Sequence, residues 1–301
     1  MSLKSTLVFG ADSFLGSKLI KTLSERGCNV IGTTRRKNTV SNVRVFLDLS
    51  SDIDNFKVPE GVDYAYLLAG TWNYGECDTN PEAWKVNVLN MANLARKLLK
   101  QNVFITFISS NTVFGGDSPW PHENDDHNPL FTYAQHKSAG EKSIQSVAEE
   151  LNAVDNFNIV RLTKILGLNT SPLPDWVDTM KKGGVLQPFL DLSFAPISVS
   201  YTAESLVEIG CKRVPGNFHI SGADNVSYDE FARKLSNGLG FQSILIEPVT
   251  SISMNVHIPF KPRYSGISME RTTDLIGIKP QTIDELVLEL SFQYKYPNHH
   301  I

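Results

Sequence analysis

In the stretch FTYAQHKSAGEK, residues 131–142, a tyrosine and a lysine stand four residues apart. On an α-helix, positions i and i+4 share a face, so Tyr133 and Lys137 can address one pocket. A phenol with an ordinary pKa of about 10 exchanges protons poorly near neutrality, and an adjacent ammonium helps by favouring the phenolate. The pair is therefore a candidate for moving a proton to or from a substrate oxygen. In a chain with nine tyrosines the spacing also arises by chance, so other residues must support it.

Four further stretches do so. ISSNTVFGG, residues 108–116, ends an apolar run with two adjacent serines, 23 residues before Tyr133. Ligands collect at the carboxyl edge of parallel sheets, which makes Ser110 the candidate to hold a reacting carbonyl and Ser109 the alternate. FGADSFLG, residues 9–16, lies between a strand pattern and a helix pattern. Gly10 and Gly16 fill the outer places of a phosphate-binding turn, Ser13 the middle one, and Phe14 and Leu15 open the helix whose N–H groups attract a pyrophosphate. TTRR, at the end of the second strand, puts Arg35 and Arg36 where guanidinium groups favour the 2′-phosphate of NADP over the free ribose of NAD. FLDLS offers Asp48 to an adenine amino group and Leu49 to its ring.

These residues need a frame. Short apolar runs alternate with amphipathic stretches: STLVFGA, FLGSKLIKTLSERG, NVIGTTRR, VRVFLDL, YAYLLAG, EAWKVNVLNMANLARKLLKQ and VFITFISS. Such alternation specifies an α/β fold, a doubly wound parallel sheet covered by helices on both faces, with a smaller C-terminal substrate-binding lobe. Past NIVRLTKILG the pattern loosens into proline- and glycine-rich sequence before FHISGADNVSYDEFARKLSNGLG restores a strand and a helix. The expected division is a nucleotide-binding domain of residues 1–165 and 196–215, and a substrate lobe of residues 166–195 and 216–301. The terminal HHI reads as a frayed end.

Bulk properties narrow the partners. A formal charge of −4 in 301 residues gives no basic footprint for nucleic acid. No apolar run of about 18 residues suggests a membrane span. Cys28, Cys77 and Cys211 are odd in number and far apart, so neither a disulfide framework nor a metal site is expected, and a reducing cytoplasm fits.

Gly10, Gly16, Asp48, the LLAG run ending in Leu68, Ala69 and Gly70, Ser110 and the Tyr133/Lys137 pair together resemble the extended short-chain dehydrogenase/reductase superfamily over nearly the entire chain. SSNTVFGGDSPWPHENDDHNPLFTYAQHKSAGEK is similar to the central block of dTDP-4-dehydrorhamnose reductases, and GNFHISGADNVSYDEFARKL and KPRYSGISMERTTDLIGIKP resemble their substrate lobe. The resemblance implies an NADP(H)-dependent reductase of a nucleotide-activated keto sugar. Tyr133 would be the general acid, Lys137 would support it and bind the nicotinamide ribose, and Ser110 would hold the carbonyl oxygen. Leu68, Ala69 and Gly70 would border the cofactor, and Asn87 matches an asparagine position of the superfamily, with helix packing as its other reading. Trp176, Arg263 and Tyr264 are candidates to stack on a base or grip a diphosphate. Arg161 could face a phosphate or form a core ion pair. A homodimer through paired helices is implied by resemblance alone.

The chain also departs from these reductases. TWNYGECDTNPEAW replaces an acid-rich segment after the fourth strand. Asn111 and Thr112 stand where a 4,6-dehydratase carries an acid pair, which disfavours dehydration. The rival readings are an NAD(H)-dependent sugar-nucleotide epimerase, against which Arg35 and Arg36 argue, and a non-catalytic NADP-binding regulatory subunit.

Overall fold

Seven apolar runs rich in β-branched and aromatic residues form one parallel sheet. In the computed structural model, which describes residues 3–51 and 53–297, they are β1 (Ser5–Phe9), β2 (Asn29–Thr34), β3 (Arg44–Phe46), β4 (Tyr64–Leu67), β5 (Phe104–Ser110), β6 (Phe157–Leu162) and β7 (Gly216–Ile220). Their order across the sheet is β7-β6-β5-β4-β1-β2-β3, and every neighbouring pair is parallel. The winding reverses between β1 and β4, which opens a crevice at the carboxyl ends of those strands. The terminal HHI, expected to fray, lies outside the described residues.

Side-chain alternation decides which helix each strand meets. In β4, Ala65 and Leu67 enter a core with Met91, Leu94 and Leu98 of α2 (Asn90–Leu99) and Ile144 and Val147 of α3 (Thr132–Glu150). Tyr64 and Tyr66, on the opposite face, enter a second core with Leu15, Leu19 and Leu23 of α1 (Phe14–Glu25) and Ala203 and Leu206 of α5 (Val199–Lys212). This two-fold period against helices on both sides produces the expected double winding.

The smaller lobe has its own core. Trp176 and Met180 of α4 (Leu173–Lys181) meet Phe231, Leu235 and Leu239 of α6 (Tyr228–Leu239) and Leu286 and Leu290 of α7 (Ile283–Lys295). Capping boxes start two of these helices: Ser227 with Glu230, and Thr282 with Glu285. The expected domain boundary needs correction here. Residues 216–220, assigned to the substrate lobe, are the seventh strand of the main sheet, pairing Gly216–Ile220 with Asn158–Leu162. Their single apolar run, FHI, does not reveal from sequence which sheet it joins. Among the described residues no helix is long and apolar enough to cross a membrane.

Candidate active site

The N-terminal turn is built so that backbone can approach a ligand. Gly10 has φ +87°, and a Cβ there would stand 2.8 Å from Ala69 N. A Cβ at Gly16 would overlap Gly10 O. Ser13 needs no glycine: with φ −75° it caps α1, accepting from Gly16 N at 3.0 Å and donating to Gly10 O at 2.7 Å. Among the described residues the N–H groups of Phe14 and Leu15 meet no protein acceptor, so they and the helix dipole are available to a phosphate.

At the end of β2, the second strand, the arginines are organised by an acid within the turn itself. Asp12 Oδ1 pairs with Arg36 Nη2 at 2.9 Å and with Arg44 Nη1 at 2.5 Å, and Asp12 Oδ2 accepts from Thr34 Oγ1 at 2.7 Å. Burial raises the Asp12 pKa, but these hydrogen bonds and the guanidinium charges outweigh it and hold the carboxyl below its ordinary value. Arg35 is exposed and forms no ion pair among the described residues. Arg44 went unnoticed in the sequence because it belongs to the third strand; the parallel register that sets Gly32 opposite Arg44 brings it in.

Asp48 spends one oxygen locally, Oδ1 accepting from Ser50 N at 3.0 Å and Ser50 Oγ at 2.8 Å. Leu49 is only 5% exposed and lies in the core, so it offers no open face to an adenine ring. After β4, Leu68, Ala69 and Gly70 line the crevice, with Ala69 against Gly10 and Gly70 against Asn87 Oδ1. Asn87, buried in a π turn over Lys85–Leu89, gives both ends of its amide to Thr71: Oδ1 accepts from Thr71 N and Nδ2 donates to Thr71 O, each at 2.8 Å. It clamps the loop after β4; a direct cofactor contact, the other expectation for it, would compete with that clamp.

β5 ends between the two serines' roles. Ser109 shares parity with Ile105 and Phe107, faces α3 and donates to Glu141. Ser110, at the open edge, accepts from Thr112 Oγ1 at 3.0 Å. α3 carries Tyr133 and Lys137 one turn apart against this edge, and the Lys137 ammonium donates to Ile108 O at 2.8 Å while lying 6.0 Å from the Tyr133 ring centre. Burial pulls the Lys137 pKa down to about 8, partly opposed by Glu141. Burial, with Tyr74 and Cys77 beside it, raises that of Tyr133, and the Ser110 hydroxyl pulls the other way. In the protein alone the net shift of Tyr133 is upward, the direction that suits a proton donor.

The loop TWNYGECDTNPEAW supplies a neighbour that the sequence did not single out. Tyr74 lies over Phe131 at 4.7 Å and Tyr133 at 5.5 Å between ring centres, so the departure from the reductase pattern reaches the reacting phenol. Lys164, just beyond β6, also escaped notice. Arg161, in contrast, is settled as a core residue: 2% exposed, it donates from Nη2 to Glu141 Oε2 at 2.7 Å and to His127 Nε2 at 2.9 Å.

Of the three residues expected to bind substrate, Trp176 requires correction. It is 9% exposed and packs on Phe231 and Tyr228 with ring centres 6.2 and 6.4 Å away, because α4 needs a large side chain to fill the lobe core. Arg263 is exposed with its guanidinium over the Tyr264 ring at 5.2 Å, and Tyr264 N donates to Gly116 O at 2.9 Å, tying the lobe to the loop after Ser110.

The chain is similar to the "Probable low-salt glycan biosynthesis reductase Agl14" of Haloferax volcanii, 26% identical over 95% of this chain and 97% of that one. It is also similar to bovine "Methionine adenosyltransferase 2 subunit beta", 23% identical over 82% of this chain and 75% of the relative. Among solved structures, a dTDP-4-dehydrorhamnose reductase from Bacillus anthracis in complex with NADP shares the fold with a TM-score of 0.79, at 17% identity, covering 98% of this chain and 100% of that one. The family model for the RmlD substrate binding domain matches residues 4–294, and the chain belongs to that family.

Proposed function

We propose that the protein is an NADP(H)-dependent reductase of a nucleotide-activated keto sugar. One observation carries the reading: Ser110, Tyr133 and Lys137 converge at the carboxyl edge of the same sheet whose first turn, Gly10–Gly16, is shaped for a pyrophosphate. The printed names of the glycan biosynthesis reductase and the dTDP-4-dehydrorhamnose reductase support the substrate class.

When bound, the nicotinamide cofactor supplies a hydride to the substrate's carbonyl carbon. The turn and the start of α1 would hold its pyrophosphate, and Arg35, Arg36 and Arg44 would offer guanidinium groups to its 2′-phosphate. Ser110 Oγ donates to the carbonyl oxygen and stabilises the charge that grows there. Tyr133 gives its Oη proton to that oxygen, so ketone, hydride and proton become alcohol. The Lys137 ammonium stabilises the phenolate left behind, which regains a proton from solvent.

The intact trio weighs against a non-catalytic subunit, since binding alone needs neither a general acid nor its lysine. The three arginines weigh against an NAD-retaining epimerase. A homodimer would use the exposed Trp84 and Leu89 along the helical run beside α2, and the free thiols of Cys28, Cys77 and Cys211 suit the cytoplasm. The test is NADPH consumption against a panel of nucleotide-linked 4-keto sugars, with NADH as control. The reading expects turnover of at least one with NADPH preferred. Protein that purifies with tightly held NAD and turns over none would contradict it.

A further inference from the structure

Lys164 is an exposed cation on a rigid backbone segment at the carboxyl edge of the sheet, and among the described residues no acid pairs with it. Leu162, two residues earlier, is paired with Ser110 on one side and Ile220 on the other. Beyond it the chain stays fixed: Thr163 N donates to Ile220 O at 3.1 Å, Lys164 O accepts from Ile197 N at 2.9 Å, and Ile165–Leu166 pair with Ile197–Ser198. Gly167 then packs so closely on α1 that a Cβ there would stand 2.5 Å from the Phe14 ring. The segment therefore crosses the carboxyl edge between the candidate serine and the dinucleotide turn.

The Lys164 side chain reaches solvent, yet burial lowers its pKa, and no charged neighbour contributes to that shift. Among the described residues it makes neither ion pair nor side-chain hydrogen bond. Several of the other cations are engaged by protein groups. Lys137 is bonded to Ile108 O, Arg36 and Arg44 share Asp12, Arg161 holds Glu141, and Lys261 pairs with Asp191 at 3.2 Å. A ligand carboxylate would give this ammonium the counter-ion that the protein does not supply.

Building on the nucleotide-sugar reading, we propose that Lys164 binds a carboxylate carried by the sugar itself, so that the site is made for an acidic nucleotide sugar. The Ser110–Leu162 register puts Lys164 at the reacting end of the crevice. In a 4-keto sugar the diphosphate leaves the ring from the side opposite the reacting carbon, so a carboxylate next to that carbon lies at the end away from the diphosphate. A neutral sugar would offer the ammonium only hydroxyls, whereas a carboxylate forms a charge-assisted pair.

Calorimetric titration of the NADP⁺-loaded protein with glucose and glucuronic acid, each as UDP and dTDP conjugates, tests this. The glucuronic conjugate should bind about tenfold more tightly than the glucose conjugate. Lys164→Met should erase the difference while leaving the glucose conjugate's affinity alone, and Lys164→Arg should keep the preference. Equal affinities in the native protein, or a preference that survives Lys164→Met, overturn the inference. So does an equal loss for both sugars in Lys164→Met, which would give the lysine to the diphosphate. Failure of the native protein to bind any of these conjugates would instead contradict the nucleotide-sugar reading and remove the inference with it.

Discussion

Lys137 hangs from the strand that carries Ser110, its ammonium donating to Ile108 O at 2.8 Å. That bond fixes the lysine beneath Tyr133, and burial shifts the two groups in opposite directions: up for the phenol, which keeps its proton for the donor role, and down for the ammonium, whose charge is therefore lost at a lower pH than usual.

A pH dependence follows with a definite sign. The Lys137 pKa lies near 8, so below that pH the ammonium is present and above it the charge is lost. For the reductive direction, kcat/KM should be level through neutrality and fall as pH rises through about 8, because kcat/KM reports the free enzyme's groups. Lys137→Met should lower activity throughout and abolish the falling limb. A wild-type profile that stays level to about pH 10 would contradict the lowered Lys137 pKa.

Asp12 sets the second prediction. Its carboxylate occupies Arg36 and Arg44, and a 2′-phosphate must compete with it for both guanidinium groups. Asp12→Asn should tighten NADPH binding by about threefold, the scale of an exposed ion pair, and leave NADH unchanged. Fluorescence titration of both cofactors checks this; weaker NADPH binding in the variant would mean that Asp12 orients the arginines instead of competing for them.

The third concerns the buried ion pair behind the site. Glu141 is 3% exposed and takes Arg161 and Ser109 together, while Arg161 Nη1 also donates to His219 Nε2 at 3.3 Å. Burial, aided by the Arg161 charge, pulls the His219 pKa down to about 3, so its ring stays neutral and its Nδ1 proton goes to Ser268 O at 2.7 Å. Removing one charge strands the other: Glu141→Ala should cost about 3–5 kcal/mol of stability by urea denaturation. Replacing Glu141 and Arg161 together by apolar residues should cost less than Glu141→Ala alone. A loss below about 1 kcal/mol for the single variant would contradict the buried-pair description.

The sequence was most informative where a residue's role depends on local spacing. Gly10, Gly16 and the Tyr133/Lys137 turn are legible because a strand-to-helix turn and a helical face are short-range geometries. Ser109 and Ser110 separate only once the parity of β5 is known, and Arg44 comes beside Asp12 through strand register, which one sequence does not display. Trp176 illustrates the opposite error: an aromatic residue in an irregular lobe reads equally as a stacking platform or as core, and only packing against Phe231 and Tyr228 decides between them.

The central claim is that Tyr133 protonates a nucleotide-linked ketone. It is tested most directly by comparing NADPH oxidation by the native protein and by Tyr133→Phe on a 4-keto sugar nucleotide that the panel identifies, with the NADPH dissociation constant measured for both. The account predicts a fall of about 10²- to 10⁴-fold in kcat with the dissociation constant unchanged. Turnover by Tyr133→Phe at the native rate would contradict it.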